Sequence, residues 1–310
     1  MSHPETDELP YRSPRRIHNR RFFYKYVSSH VAKIILATRK LRWSSPLLFN
    51  DPFDMTQELR LNFSEAELHA AVAQELANLL ETGDPSYTPS GPWQRKIPAM
   101  MAVLRGKPDL RLRVVESMRR DPGPMTPGQF ETFATLKQVW SELVPHFRVL
   151  CLSEVNDVTA MWLHYADNYT GAVLQFEAVD QLDSVFLQAR PVIYQDTPPA
   201  IASKENWARC LLELGPLKFP DLITEYQYVK TTDWVYEREW RLATLGLGAG
   251  LYEDWGFKPR ELGGIYLGTK CSQDDEKEIL ALLSHGLEHT SAYKASVAGP
   301  DAKFIFKRVR

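Results

Sequence analysis

Apolar and polar positions follow two different periods at the start of this chain. Residues 22–27 are aromatic and β-branched, which is typical of a strand. Apolar residues then recur at helical spacing over residues 31–38, after Ser28 or Ser29 as the helix cap. Alternation returns at residues 41–44. The opening of the chain is therefore predicted to be a strand, a helix, a strand and a loop.

The helical period dominates from about residue 60 to 147. Ser64 and Glu67 have the spacing of a capping box, which predicts a helix N-terminus, and Gly83 predicts the end of that helix. An arginine-rich helix is predicted near residues 110–120. Because strands of the same kind resume immediately afterwards, we interpret this region as a helical insertion and not as a second domain.

Strand-like segments continue from the insertion to the end of the chain, with helices between several of them. They do not alternate regularly with crossover helices, which argues against a doubly wound parallel sheet. We predict one α+β domain over residues 21–310, with a central mixed or antiparallel sheet, flanking helices and the helical insertion. The later strands are predicted at residues 148–153, 172–176, 240–245, 264–267 and 304–306.

Composition places the chain among ordinary globular proteins. Of its 310 residues, 44% are hydrophobic and 25% are charged, which argues against a disordered or fibrous chain. No apolar run approaches the roughly 20 residues that a membrane helix requires. The three cysteines lack metal or redox spacing, so a disulfide framework or a zinc site is not indicated. We expect a cytoplasmic protein without membrane attachment.

The charge of the chain is uneven at its start. The net charge of −2 gives no overall attraction for nucleic acid, although residues 1–20 are rich in arginine. This stretch has no apolar core of a targeting peptide. We interpret it as a flexible basic tail, and an arm that binds nucleic acid or a membrane surface is the alternative.

Four short blocks combine aromatic with polar or acidic side chains. The blocks are residues 24–26, residues 43–46 with 49–54, residues 151–154 with 161–171, and residues 234–242. Through these blocks most of the chain after residue 20 resembles a bacterial family known as domain of unknown function 2971. The family implies no activity, so any chemistry has to follow from the residues themselves.

The last block carries the strongest chemical pattern. On a strand, Glu237, Glu239 and Arg241 would share one face, because side chains two apart point the same way. Two adjacent carboxylates can have their pKa values pushed apart, so that one serves as a general base while the other stabilises positive charge. The alternative is the wet face of an amphipathic strand, with Arg241 pairing a glutamate.

The order of features also resembles the ADP-ribosyltransferase superfamily, with a basic residue in the first strand, a serine ending a middle strand and a late Glu-x-Glu. This resemblance implies NAD as a substrate. Lys25, where the superfamily has Arg or His, would hold NAD, and Ser153 would support the nicotinamide ribose. Glu239 would stabilise the oxocarbenium-like transition state, and Glu237 would activate an unknown macromolecular or small-molecule acceptor. The other candidate cofactor-binding residues are Tyr26, Ser44, Asn50, Tyr165 and Arg241.

His164 is a further candidate catalytic residue, because an imidazole can act as acid, base or metal ligand near neutral pH. Asp51, Asp54 and Asp167 supply hard-metal donor atoms, but without a recognised metal spacing, and we assign no metal ligand. Asp51 and Asp167 also lie in sequences that are typical of turns. A buried, hydrogen-bonded role for His164 is equally consistent with its aromatic neighbours.

Three classes of function remain open: an NAD-dependent ADP-ribosyltransferase-like enzyme, a catalytically inactive nucleotide-binding or protein-interaction module in bacterial stress or phage defence, and a metal-assisted hydrolase. We expect a cleft where the four blocks meet. An open slot lined by Lys25, Ser153 and Glu239 favours the first class, a filled slot the second, and carboxylates converging near His164 the third. The expected walls of the cleft are the large aromatic residues Trp162, Tyr165 and Trp240.

Overall fold

The structure is a computed structural model, and the residues that it describes fall into two compact units. The first unit comprises residues 1–54, 145–194 and 230–310, and the second comprises residues 55–144 and 195–229. The described residues are 11–55, 63–123, 137–197, 203–215, 226–298 and 303–310.

Twelve strands are described. They are β1 (Phe22–Val27), β2 (Lys40–Ser44), β3 (Phe147–Ser153), β4 (Ala172–Glu177), β5 (Arg190–Pro191), β6 (Ile193–Tyr194), β7 (Val229–Lys230), β8 (Glu239–Leu245), β9 (Tyr252–Gly256), β10 (Leu262–Leu267), β11 (Ser291–Ala298) and β12 (Lys303–Arg308).

Ten of these strands form one sheet in the first unit, in the order β12-β11-β10-β4-β1-β3-β2-β9, with β8 paired to β3 and β5 paired to β8. β10 and β11 are parallel, and the other neighbours in this sheet are antiparallel. The predicted α+β class with a central mixed sheet is therefore confirmed. The helices with described bounds are α1 (Ser29–Thr38), α2 (Glu65–Thr82), α3 (Lys96–Arg105), α4 (Pro108–Arg120), α5 (Thr159–His164), α6 (Lys204–Leu211) and α7 (Gln273–Leu282).

The first helix begins as predicted, but the face that it turns to the core does not include all of its apolar positions. The Ser28 side chain accepts a hydrogen bond from the Val31 amide and caps α1. Val31 is nevertheless exposed, whereas Ile35 and Leu36 are buried in the main core of the unit. The helical period was therefore predicted correctly, but its apolar positions do not all face the core.

Strand β3 has two different edges, and this difference positions the site. On one side β3 pairs with β8 along its whole length. On the other side β1 meets it only at Tyr24–Ser153, and β2 only at Ser44–Val149. The two neighbouring strands diverge between these bridges. In that gap the Cys151 carbonyl accepts a hydrogen bond from the Lys25 Nζ at 2.9 Å.

Residues 11–20 pack on the first unit and differ in this from the flexible tail expected for residues 1–20. Arg16 forms two hydrogen bonds to the Asp180 carboxylate, at 2.7 and 2.8 Å. The His18 ring lies 5.1 Å from the Trp240 ring. Arg16 and Arg20 have carboxylate partners, Asp180 and Glu154, on the body of the unit, and these contacts hold the segment in place. Residues 1–10 lie outside the described part of the chain.

The second unit contains helices α2, α3, α4 and α6. The predicted capping box is confirmed: the Ser64 side chain accepts from the Glu67 amide, and the Glu67 carboxylate accepts from the Ser64 amide at 2.8 Å. Gly83 ends α2 in the left-handed conformation that glycine adopts readily. Leu80 and Trp207 are buried in the apolar core of this unit. No described helix of the chain has the length and hydropathy needed to cross a membrane.

Candidate functional site

A cavity of about 200 Å³ opens in the first unit at the gap between β1, β2 and β3. A single buried water needs roughly 10–15 Å³ by such a measure, so the cavity has room for a ligand group. All four blocks contribute to its lining. The sequence-predicted residues that line it are Lys25, Tyr26, Ser44, Asn50, Ser153, Tyr165, Glu237 and Glu239.

One wall of the cavity is a buried cluster of charges around Lys230. The Lys230 Nζ lies 2.6 Å from Glu237 Oε2, 3.4 Å from Glu239 Oε2 and 3.7 Å from Asp54 Oδ2. Arg241 donates to both Glu239 oxygens, at 2.7 and 2.9 Å. It also donates to both oxygens of Asp54, with Nη1 2.9 Å from Oδ1. Three carboxylates therefore share two cations, and none of the five side chains is more than 6% exposed.

The backbone brings the two glutamates together through a kink. Glu239 and Arg241 lie two apart on β8 and share a face, as predicted. Glu237 instead ends a 3-10 turn, Thr232–Glu237, and lies outside the strand. Arg238 between them has a φ of 44°, in the left-handed region. This kink, not strand alternation, lets both carboxylates face Lys230.

The pKa values of the two glutamates are shifted in opposite directions. Burial raises the pKa of Glu237, and the nearby Glu239 adds to this effect, while Lys230 opposes it. Burial also opposes the ionisation of Glu239, but Arg241 and Lys230 outweigh it and lower the pKa of Glu239 to about 2. Glu239 is therefore charged near neutral pH, and Glu237 is the member of the pair suited to proton transfer.

Three hydroxyl groups of the cavity lining are held by internal hydrogen bonds. The Tyr165 hydroxyl donates to Glu237 Oε1 at 2.6 Å. The Ser153 hydroxyl donates to the Glu237 carbonyl at 2.7 Å and is almost fully buried. The Tyr26 hydroxyl donates to the Val155 carbonyl at 3.0 Å. Ser153 thus supports the backbone that carries Glu237.

Two predicted site residues lie elsewhere. Arg241 is fully buried and is not part of the cavity lining, because it is bound to Asp54 and Glu239. Arg241 was predicted to bind a cofactor, but it instead holds the carboxylates of Asp54 and Glu239 in place. His164 is exposed at the end of α5 and also lies outside the lining, with its ring centroid 6.5 Å from that of Tyr165.

The expected aromatic walls are only partly found. Tyr165 lines the cavity, whereas Trp162 is a buried core residue that packs edge-on against Tyr26. Trp240 alternates with Glu239 and Arg241 along β8 and therefore faces the opposite side of the sheet, where it packs on Phe23 at 5.4 Å.

The residues considered for a metal do not converge on His164. Asp54 is bound to Arg241, and Asp167 is exposed in a left-handed turn with Asn168. The turn predicted at Asp167 is therefore confirmed. Within the described ranges, no group of three or more His, Cys, Asp or Glu side chains is arranged to hold a metal ion.

Sequence reasoning missed Lys230, which organises the cluster. It lies in a two-residue strand ahead of the fourth block, without any periodic pattern around it. The signal that was available is indirect, because two glutamates buried side by side require cations nearby. Arg42 and Cys151 also line the cavity without having been predicted as site residues.

Comparison with known proteins gives one match. A family model described as "Protein of unknown function (DUF2971)" matches residues 161–242. The matched region contains Tyr165, Lys230, Glu237, Glu239 and Arg241, so the chain is similar to this family over one wall of the cavity. Comparisons with curated proteins and with solved structures each found no match.

Proposed function

We propose that the protein is an ADP-ribosyltransferase-like enzyme that cleaves the bond between ribose and nicotinamide in NAD and transfers ADP-ribose to an acceptor. One observation carries the proposal. An open cavity is lined by Lys25, Ser153 and Glu239, and Glu237 and Glu239 are both held within 3.4 Å of the same Lys230 Nζ.

The chemistry that this arrangement supports is loss of nicotinamide with its bonding electron pair. The ribose is left with positive charge at its anomeric carbon, and Glu239 stabilises that charge because it is ionised and fixed in a water-poor wall. The acceptor then bonds to the same carbon and gives its proton to Glu237, whose raised pKa suits a general base.

The charge balance of the cluster favours a cationic transition state. Lys230 and Arg241 face three carboxylates, those of Asp54, Glu237 and Glu239, so a fully ionised cluster carries one excess negative charge. On another wall of the cavity, Lys25 uses one donor for the Cys151 carbonyl and retains others for a pyrophosphate.

We place this activity in the cytoplasm. Cys151, Cys210 and Cys271 are free thiols, which is the usual state in a reducing compartment.

The test is incubation of the purified protein with NAD labelled in its adenylate half, with and without bacterial lysate, followed for nicotinamide release and transferred label. Glu239→Gln is expected to lose activity by about 10²–10³-fold. Leu242→Ala is the matched control: Leu242 is buried on the opposite face of β8, so this variant loses stability and keeps both glutamates. Wild-type protein that neither binds nor cleaves NAD, across a panel of acceptors, ends the proposal.

A binding module without turnover is the second candidate. The observation that favours it is that all four carboxylate oxygens of Glu237 and Glu239 already have partners in Tyr165, Lys230 and Arg241. This assay and a measurement of NAD binding separate the two functions, because a module binds NAD and releases no nicotinamide.

A further inference from the structure

A second cavity, of about 400 Å³, lies in the first unit and shares Asn50 and Asp51 with the candidate site. Its walls are the turn at residues 50–53 and the 3-10 turn that leads to Glu237. The proposed function does not use this second cavity.

Asp51 is the residue that points to a ligand here. This residue is buried, with 7% exposure, and lines both cavities. Oδ1 accepts a hydrogen bond from the Phe53 amide at 2.9 Å and so closes the turn. Oδ2 is buried and has no hydrogen-bond partner within the described part of the chain. A carboxylate oxygen left unpaired in this way is costly, and a donor supplied by a ligand removes that cost.

The surroundings of Asp51 indicate which donor fits. Trp234 and Tyr236 line the cavity with their rings 6.1 Å apart and tilted by 38°, and Asp233 adds a second carboxylate at its exposed rim. Aromatic faces attract cations, and charge-assisted hydrogen bonds to carboxylates are stronger than neutral ones. Together these groups match an organic cation that carries N–H donors.

The neighbouring Lys230 does not oppose such a ligand. Its Nζ lies 4.6 Å from the centroid of the Trp234 ring, which places a positive charge beside the cavity. That charge is already compensated, because Glu237, Glu239 and Asp54 all lie within 3.7 Å of it. Burial acts to lower the pKa of Lys230, but these carboxylates outweigh it and raise the pKa.

We propose that the second cavity binds the protonated amine or guanidinium group of a ligand. Asp51 Oδ2 accepts a hydrogen bond from the cation, and Trp234 and Tyr236 provide its aromatic walls. The proposal does not rest on NAD chemistry, because it concerns binding alone.

Calorimetric titration of the full-length protein, without NAD, tests this site. The probes are n-butylguanidinium, n-butylammonium and n-butylurea, the last being a neutral molecule of the same shape as the first. We expect both cations to bind, and n-butylurea to bind about tenfold more weakly or not at all. Asp51→Asn should weaken binding of both cations about tenfold, because it removes the charge and keeps the Oδ1 acceptor for Phe53.

Asp274→Asn is the control, since Asp274 is an exposed carboxylate on α7 and its loss should leave binding unchanged. Equal affinities for n-butylguanidinium and n-butylurea overturn the proposal, as does an unchanged affinity in a folded Asp51→Asn variant. Binding of Mg²⁺ or Ca²⁺ in place of the organic cations overturns it as well. If Asp51→Asn does not fold, Trp234→Leu serves as the second variant, and cation affinity that survives loss of the aromatic face contradicts the proposal.

Discussion

At the residue scale, Glu239 illustrates what a buried carboxylate needs in order to stay ionised. It receives two hydrogen bonds from Arg241 and lies 3.4 Å from Lys230. Strand periodicity predicted that Arg241 shares its face. The contact with Lys230 could not be predicted, since it depends on how a separate short strand meets β8. The same holds for Asp54, which is 187 residues from Arg241 along the chain.

Replacing Glu239 with Gln should lower the free energy of unfolding by about 3–5 kcal/mol near neutral pH, because Arg241 and Lys230 lose a buried partner. The folded pKa of about 2 lies below the ordinary value of 4.5. The stabilisation from Glu239 is therefore fully present above pH 4.5 and is lost as the pH falls towards 2. Urea unfolding at a series of pH values measures this: the difference in the free energy of unfolding between wild type and Glu239→Gln should shrink from pH 4.5 to 2.

Leu242→Ala provides the comparison for this series. It removes a buried apolar side chain from the same strand and has no carboxylate to titrate, so its destabilisation of about 2–5 kcal/mol should stay nearly constant with pH. If the loss of unfolding free energy in Glu239→Gln also stays constant with pH, Glu239 does not have a depressed pKa.

Tyr165→Phe tests the proposed general base. The Tyr165 hydroxyl donates to Glu237 and stabilises its charged form, so its removal should raise the pKa of Glu237 further. If Glu237 must be ionised to accept a proton, the acid limb of kcat/KM against pH moves about one pH unit higher. Tyr169→Phe is the control, because the Tyr169 hydroxyl bonds to the Thr159 carbonyl outside the cavity. An unshifted acid limb in Tyr165→Phe would remove Glu237 from this role.

At the scale of elements, the strands that build the site were also the most predictable. β1 matches the predicted bounds, and β3 begins one residue earlier than predicted, because both carry dense apolar and aromatic sequence. β9 was not predicted. It pairs with β2 at one end of the sheet order. Its two aromatic residues, Tyr252 and Trp255, are three apart, so its sequence lacks the two-residue apolar alternation of a strand. The divergence of β1 and β2 along β3, which opens the cavity, has no local signature in the sequence at all.

Arg238 lies between the two glutamates of the site and has a left-handed backbone conformation. A side chain at a φ of 44° is strained, and branching at Cβ increases the strain. Arg238→Val should therefore lower the free energy of unfolding by about 1–2 kcal/mol relative to Arg238→Ala. Both variants lose the exposed guanidinium, so the difference between them reports the backbone effect alone. Arg238→Gly should lie within about 0.5 kcal/mol of wild type, because relief of strain offsets the added chain entropy. Chemical unfolding of the three variants measures this, and equal stability of Val and Ala would contradict it.

At the scale of the whole molecule, the cavity depends on three separate stretches of chain, since its lining comes from residues 24–54, 149–165 and 230–239. The sequence predicted that these stretches meet, because polar and potentially reactive side chains cluster in the four blocks. The boundaries of the units were harder to predict. The helical period marks residues 60–147. Residues 195–229 also belong to the second unit, but their described elements with bounds are only the short α6 and the first residue of β7.

The start of the chain allows the last prediction. Residues 1–8 are polar, contain Pro4 and show no periodicity, so their deletion should leave the unfolding midpoint unchanged. Deletion of residues 1–20 should instead cost about 2–4 kcal/mol, because it removes the paired bonds from Arg16 to Asp180 and the packing of His18 on Trp240.

Arg21→Ala is the control for charge alone in these truncations. Its ion pair with Glu177 is largely exposed, with 70% of the arginine side chain accessible, and should contribute less than about 1 kcal/mol. Thermal and urea unfolding of the two truncations and this variant give the comparison. Equal stability of the two truncations would mean that residues 9–20 add nothing to the fold, whereas loss of folded protein on deletion of residues 1–8 alone would mean that the first residues pack onto the body. Arg20 also donates to the Glu154 carboxylate, and the backbone amide of Glu154 donates to the Arg238 carbonyl. The longer truncation removes Arg20 and should therefore loosen the turn that holds Glu237 and Glu239 together.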